Sequence, residues 1–175
     1  GRVQRTFGKV RASLRANFSY SKLNQFVQGN QSVNESFSQS YTPEIRTNFR
    51  EAPNVTFRYR YSISQNDLGS NTTKFTTNAP SVEFDAYIWN SVSFLTDFSY
   101  TEQNNGQGQK DSFRTWNASL RYRKDKDAKW EYSLIAANLL DIDSNISNGA
   151  NNISVYSSET FVQPRFVTFR LTYTL

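Results

Sequence analysis

The chain has 175 residues, enough for one domain, and its mean hydropathy of -0.69 with 37% hydrophobic residues is too polar for helical membrane spans. Cysteine and histidine are both absent, which excludes a disulfide framework, a thiol nucleophile, most zinc sites and every histidine-based triad. The net charge of +5 raises nucleic acid as a partner.

In chain order, Gly1 reads as a turn running into a strand, and with neither a signal peptide nor a methionine the chain is expected to be a processed or cut piece of a longer precursor. Alternation with period two then takes over. Val10, Ala12, Leu14, Ala16, Phe18 and Tyr20 oppose Arg11, Ser13, Arg15, Asn17 and Ser19. After a long polar stretch from Ser21 to Ser40, Ile45, Thr47 and Phe49 oppose Arg46 and Asn48, and Val33, Phe37, Tyr41 and Pro43 share their parity. A tight turn at Glu51-Ala52-Pro53-Asn54 leads into Val55, Phe57, Tyr59, Tyr61 and Ile63, which oppose Thr56, Arg58, Arg60 and Ser62.

A Ser/Asn/Thr-rich loop from Ser64 to Asn78 follows. Phe75, Thr77 and Ala79 alternate up to Pro80, where a one-residue phase shift before Val82, Phe84, Ala86 and Ile88 predicts a bulge; Glu83 and Asp85 oppose this second set. Beyond a minimal turn at Asn90-Ser91, Val92, Phe94, Phe98 and Tyr100 oppose Ser93, Asp97, Ser99 and Thr101. A long loop from Glu102 to Asp111 precedes Trp116, Ala118, Leu120 and Tyr122, opposed by Asn117, Ser119, Arg121 and Arg123. A charged turn at Lys124 to Lys129 precedes Trp130, Tyr132, Leu134 and Ala136, opposed by Glu131, Ser133 and Ala137, with Ile135 breaking the polar face. Past a long loop from Asp141 to Gln163, the last ten residues alternate without error: Val167, Phe169, Leu171, Tyr173 and Leu175 against Thr168, Arg170, Thr172 and Thr174.

These are about eight strands, each near the roughly 9–11 residues a tilted strand needs to cross a bilayer, joined by alternately long and short connections. The fold expected is all-β, a transmembrane antiparallel β-barrel with residues 1–175 as one barrel segment, alternate apolar residues facing outer-membrane lipid and polar ones facing water. Both chain ends are then periplasmic and the long loops extracellular. Aromatic residues at strand ends suggest two interfacial belts, Tyr20, Tyr61, Tyr100 and Trp116 at one end and Phe49, Tyr122, Trp130 and Tyr173 at the other.

The charged residues expected to line the lumen are Arg58, Arg60, Glu83, Asp85, Arg121, Arg123, Glu131 and Arg170. Cross-strand ion pairs are available between Arg58 or Arg60 and Glu83 or Asp85, and between Arg121 or Arg123 and Glu131. The arginines are spread over most strands and not gathered in one patch, which argues against nucleic acid. Carboxylates two apart, Glu83 with Asp85 and Asp141 with Asp143, read as polar lining or loop. No catalytic residue, metal or cofactor is assigned, and the many Asn-x-Ser/Thr sequences, Asn17 and Asn117 among them, follow from composition. The terminal strand, with Phe169, Leu171, Tyr173 and Leu175, is expected to act as the assembly signal, to pair with Trp130 to Leu140 and to close the sheet.

Asn138-Leu139-Leu140-Asp141 ending the penultimate strand and Gln163-Pro164-Arg165 opening an alternating terminal strand resemble the carboxyl-terminal end of TonB-dependent outer-membrane receptors, especially those of Bacteroidota-type bacteria. The resemblance implies a plugged barrel of about 22 strands that imports a scarce nutrient. Its implied partners are upstream strands and a plug of the same receptor, a surface lipoprotein and an inner-membrane energising complex. The chain departs from that pattern in having no plug domain or energy-coupling box and in ending at Leu175 where many such proteins end in Phe. Three other readings stand beside it: an autonomous eight-stranded barrel with a structural or adhesion role, a soluble binding barrel with its apolar face inward, and, least favoured without histidine, an outer-membrane enzyme. The autonomous barrel would pair Val10–Tyr20 with the terminal strand, whereas the receptor would pair it with a strand outside this chain.

Overall fold

The computed structural model describes residues 1–27, 30–50, 53–68, 71–89, 91–106, 108, 110–125, 127–150 and 155–174. Its elements are all strands: β1 (Arg2–Phe7), β2 (Val10–Val27), β3 (Asn30–Thr47), β4 (Asn54–Leu68), β5 (Asn71–Ile88), β6 (Val92–Asn104), β7 (Lys110–Tyr122), β8 (Trp130–Ala137), β9 (Ser144–Ala150), β10 (Val155–Phe161) and β11 (Phe166–Tyr173). Nine make one antiparallel sheet, ordered β1-β2-β3-β4-β5-β6-β7-β8-β11, and β9 and β10 form a separate hairpin.

The register shows why the alternation predicts this sheet. Phe57 faces Ile45 on one side and Val82 on the other; Leu120 faces Phe94 and Leu134; Leu134 faces Phe169 in turn. Since side chains alternate strictly across a strand, one shared parity puts the apolar residues of successive strands on one face and their polar neighbours on the other. Each of the eight expected strands is present with its expected parity.

The structure departs from expectation in four respects. The first is β1, which is not visible as an alternating segment because Arg5 interrupts the parity of Val3 and Phe7; it pairs along β2 through a two-residue turn whose Gly8 has φ +59°, a conformation strained for an L side chain. Val10–Arg15 thus pair with β1 of this same chain, where the autonomous barrel would place the terminal strand and the receptor a strand outside the chain. The second is closure. β11 pairs with β8 as expected, but its other edge and the outer edge of β1 are unpaired within the sheet, which is open and not a closed barrel. Leu175 lies outside the described residues.

Third, register runs unbroken through Pro80, from Asn71 against Leu68 to Asp85 against Asn54, so the expected bulge is absent and Phe75, Thr77 and Ala79 fall on the polar face. Proline is tolerated there because only its missing N–H leaves the ladder, and the two residues at the gap in the β5–β6 pairing, Ala79 and Pro80, are flanked by pairs of the same register. Fourth, the long polar loops are largely strand. β2, β3 and β5 each run 18 residues, about 60 Å at the ordinary rise, well past a bilayer's needs.

Among the described residues there is no conventional core. Among the described residues the buried apolar side chains are Phe75 (5% exposed) and Ala86 (7%), whereas Phe18, Ile45, Phe57, Leu120, Leu134, Phe169 and Leu171 are all exposed. Aromatic contacts bracket this apolar face. At the short-turn end Trp130 and Tyr173 lie 4.7 Å apart, Tyr122 and Tyr132 6.2 Å, and Tyr132 and Phe169 6.4 Å; at the other end Phe18 meets Tyr41 edge-on at 5.6 Å. Past Tyr20 and Tyr100 the same face turns polar, carrying ion pairs Lys22–Glu35 (2.6 Å) and Lys110–Glu102 (3.7 Å). There the hydrogen bond from Lys22, and then its charge, hold the Glu35 carboxyl below its ordinary range. The apolar surface is therefore a band, with Trp116 and Trp130 about 27 Å apart along the strands across it at the ordinary rise.

Candidate functional site

The chemistry of the chain lies on the polar face. Alternation fixes which residues reach it, and register decides which of them meet. Arg58 pairs with Glu44 of β3, its Nε and Nη2 both 2.9 Å from Oε2, and not with Glu83 or Asp85 as expected. On the β5 side, Arg58 faces Ser81 and Arg60 faces Ala79, while Glu83 faces Thr56 and Asp85 faces Asn54. The carboxylates therefore sit farther toward the short-turn end, out of step with the guanidinium groups, and a sequence without known register cannot show that offset.

The second expected pair forms. Arg121 Nε lies 3.2 Å from Glu131 Oε1. Arg123, just past the end of β7, instead donates from Nε to the Ala128 carbonyl at 3.1 Å and braces the charged turn. Arg170 faces Ser133, and Phe169, Leu171 and Tyr173 face Leu134, Tyr132 and Trp130.

The expectation that the arginines are spread over most strands holds in part: Arg121, Arg123 and Arg170 lie on or beside β7 and β11, but the remaining polar-face arginines draw together. Arg2, Arg11, Arg15, Arg46, Arg58 and Arg60 share the polar face of β1–β4, where Glu44 is the carboxylate among them. Arg2 is directly opposite Arg15, and Arg11 is directly opposite Arg46. The adjoining face of β5 and β6 is acidic, with Glu83 opposite Asp97 and Asp85 one rung further on. Asn117 donates to Asp97 at 2.9 Å. The polar face thus divides into a basic half and an acidic strip, a segregation that appears only once the strands are put side by side.

Several cavities open on this face, and two of them share Arg60. One of about 310 Å³ is lined by Arg2, Arg15, Arg58, Arg60, Glu44 and two hydroxyl residues. The other, about 280 Å³, lies beneath the β9–β10 hairpin, with Arg60, Thr77, Gln103, Asp111 and Phe113 below and Ile146 on the hairpin itself. The hairpin is held over the polar face by a backbone-like bond pair: Gln103 Nε2 donates to the Asn148 carbonyl (2.8 Å) and Asn148 N donates to Gln103 Oε1 (2.7 Å). Asn148 Nδ2 also donates to Asp111. Neither hairpin nor clamp is legible in the sequence, because 144–150 is polar on both faces.

Removing the clamp gives a direct test. Gln103→Ala is expected to leave the main sheet's unfolding midpoint nearly unchanged, because β9 and β10 lie outside that sheet, while freeing the hairpin locally. Losing two hydrogen bonds, worth about 2 kcal/mol together, should speed amide exchange at Asn148 roughly 30-fold. Unchanged exchange there would show that the hairpin is held by something else.

Asn138, at the resembling element, is a structural hub. It is 7% exposed and has φ +49°, a left-handed conformation that Asn tolerates better than most residues. Its Nδ2 donates to the carbonyls of Ile142 (2.8 Å) and Gln163 (3.0 Å), and its Oδ1 accepts from Ile142 N (3.0 Å). Asp141 then accepts from Arg165 N (3.1 Å) and lies 3.5 Å from the Arg165 guanidinium. Asn138 and Asp141 thus tie the base of the hairpin to the start of β11.

Comparison of the chain with protein-family models, curated proteins and solved structures finds no match. No helix among the described residues is long and apolar enough to cross a membrane, which does not bear on crossing by strands.

Proposed function

We propose that this chain is a wall segment of an outer-membrane β-barrel, its apolar face against lipid and its polar face toward a water-filled lumen. One observation carries the reading: a register-matched apolar face over the whole sheet remains exposed, bounded by aromatic rings at both ends, in a chain with almost no buried apolar core. A water-soluble sheet would hide such a face against a second layer. Strand extensions beyond the band fit long hairpins reaching outside the cell, with the short turns periplasmic.

The finer reading is the barrel portion of a TonB-dependent receptor that takes up a nutrient. It draws on the resemblance at Asn138–Asp141 and on the two unpaired sheet edges, which in hydrocarbon require further strands to satisfy their backbone groups. Those edges favour it over the autonomous eight-stranded barrel. Upstream strands, a plug, a surface lipoprotein and an inner-membrane energising complex are the partners this reading entails.

Single environment-sensitive labels in reconstituted protein test the proposal. Positions Phe57, Leu120 and Leu171 should report hydrocarbon, and Arg58, Arg121 and Arg170 water. Reversal of the two sets would replace this reading with a soluble barrel whose apolar face points inward.

A further inference from the structure

The basic half of the polar face has a feature that barrel architecture does not call for. Like charges directly opposite one another on neighbouring strands are unfavourable, yet two such pairs, Arg2 with Arg15 and Arg11 with Arg46, lie on adjacent strand pairs. A protein that needed charge on this face only for solubility would intersperse both signs, as it does at Arg121 and Glu131. Local rules broken together at one place mark a functional site more often than a structural one.

Four strands contribute to the same cavity: Arg2 from β1, Ser13 and Arg15 from β2, Thr42 and Glu44 from β3, and Arg58 and Arg60 from β4, around about 310 Å³. Four guanidinium groups against one carboxylate leave three positive charges, and that carboxylate is already engaged by Arg58. Ser13 and Thr42 add hydroxyl donors between them. Planar guanidinium forks match carboxylate and phosphate oxygens, and a volume of this size holds a small molecule, not a polymer. Arg60 also lines the cavity under the β9–β10 hairpin, so the two spaces share a cationic wall.

We propose that Arg2, Arg15, Arg58 and Arg60 form a binding cradle for a small soluble polyanion carrying two or more carboxylate or phosphate groups. The bound anion sits between the opposed guanidinium groups and relieves their repulsion. The acidic strip at Glu83 and Asp97 borders the cradle and keeps the anion on the basic half. This inference deepens the proposed function by naming the class of solute its lumen receives, and it rests on that reading only in taking the polar face to be wet.

The test uses the complete barrel that carries this chain, in non-ionic detergent, with thermal unfolding followed against citrate, tripolyphosphate or sodium chloride at matched ionic strength. Citrate and tripolyphosphate are expected to raise the midpoint in a saturable way, and chloride is not. Arg2→Gln with Arg15→Gln should weaken the apparent affinity about tenfold or more, as losing charge-assisted hydrogen bonds does, and Arg15→Lys, which keeps the charge and is the milder change for folding, should fall between. Arg114→Gln, over the Tyr100 ring on the opposite face, should leave the affinity unchanged.

Equal stabilisation by chloride, or an unaltered response in the doubly substituted protein, overturns the cradle. Tighter binding of a short oligonucleotide than of citrate overturns the small-solute assignment. Reconstitution in phosphatidylglycerol should give the same citrate affinity as in phosphatidylcholine; a marked loss would assign the cradle to lipid headgroups and overturn it. A label at Leu120 read in the reconstituted samples keeps the two proposals apart, since a hydrocarbon signal without anion binding removes the cradle and leaves the membrane wall standing.

Discussion

Replacing Asn138 with alanine is expected to destabilise the folded chain by about 4 kcal/mol, among the largest effects available to a single polar residue here. Three side-chain hydrogen bonds are lost, to the Ile142 and Gln163 carbonyls and from Ile142 N, at about 1 kcal/mol each in a site that water barely reaches. Alanine must also hold φ +49°, which adds about 1 kcal/mol. Asn138→Gly separates the two contributions because glycine takes that backbone freely, and about 3 kcal/mol should remain. Equilibrium unfolding in urea measures both; a cost under about 1 kcal/mol for Asn138→Ala would show that the hairpin base holds without this side chain.

Leu120→Lys is the second large effect, and its size depends on the surroundings of the apolar face. Leu120 lies mid-band between Phe94 and Leu134, and a lysine near a bilayer midplane costs about 2–4 kcal/mol. Its neighbour Ser119 points to the other face, between Leu95 and Ile135, so Ser119→Lys should cost much less when that face is wet. Folding equilibria in vesicles check the ratio. Equal costs at the two positions would contradict a lipid-facing band.

What the sequence discloses follows from the physics of each element. Val10–Tyr20, Val55–Ile63 and Val167–Tyr173 are legible because one face is apolar and the other polar, so period two is written in residue types. Residues 21–24 and 32–40 carry polar side chains on both faces, and strand pairing there depends on hydrogen bonds that composition does not record. Arg5 hides β1 in the same way, by placing a charge on the apolar side, where its guanidinium lies over the Phe7 ring. For the candidate site, the parity of every charged residue is readable, but partnership is not. Arg58 chooses Glu44 over Glu83 because of register, and the Arg2–Arg15 and Arg11–Arg46 oppositions emerge only from the pairing of three strands.

The strand order of the sheet has a kinetic consequence. From β1 to β8 every strand pairs with its sequence neighbour across two to seven residues, so those hairpins close with little loss of chain entropy and the sheet grows by local steps. One junction differs: residues 138–165 separate β8 from β11, a span of 28 (165 − 138 + 1), and closing it costs about 1–2 kcal/mol more than the short turns. The β9–β10 hairpin shortens that span, because once it has formed, Asn138 bonds to Ile142 and Gln163 at its two ends and the remaining open chain is brief. The hairpin over the polar face therefore also shortens the loop whose closure brings β11 to the edge of β8.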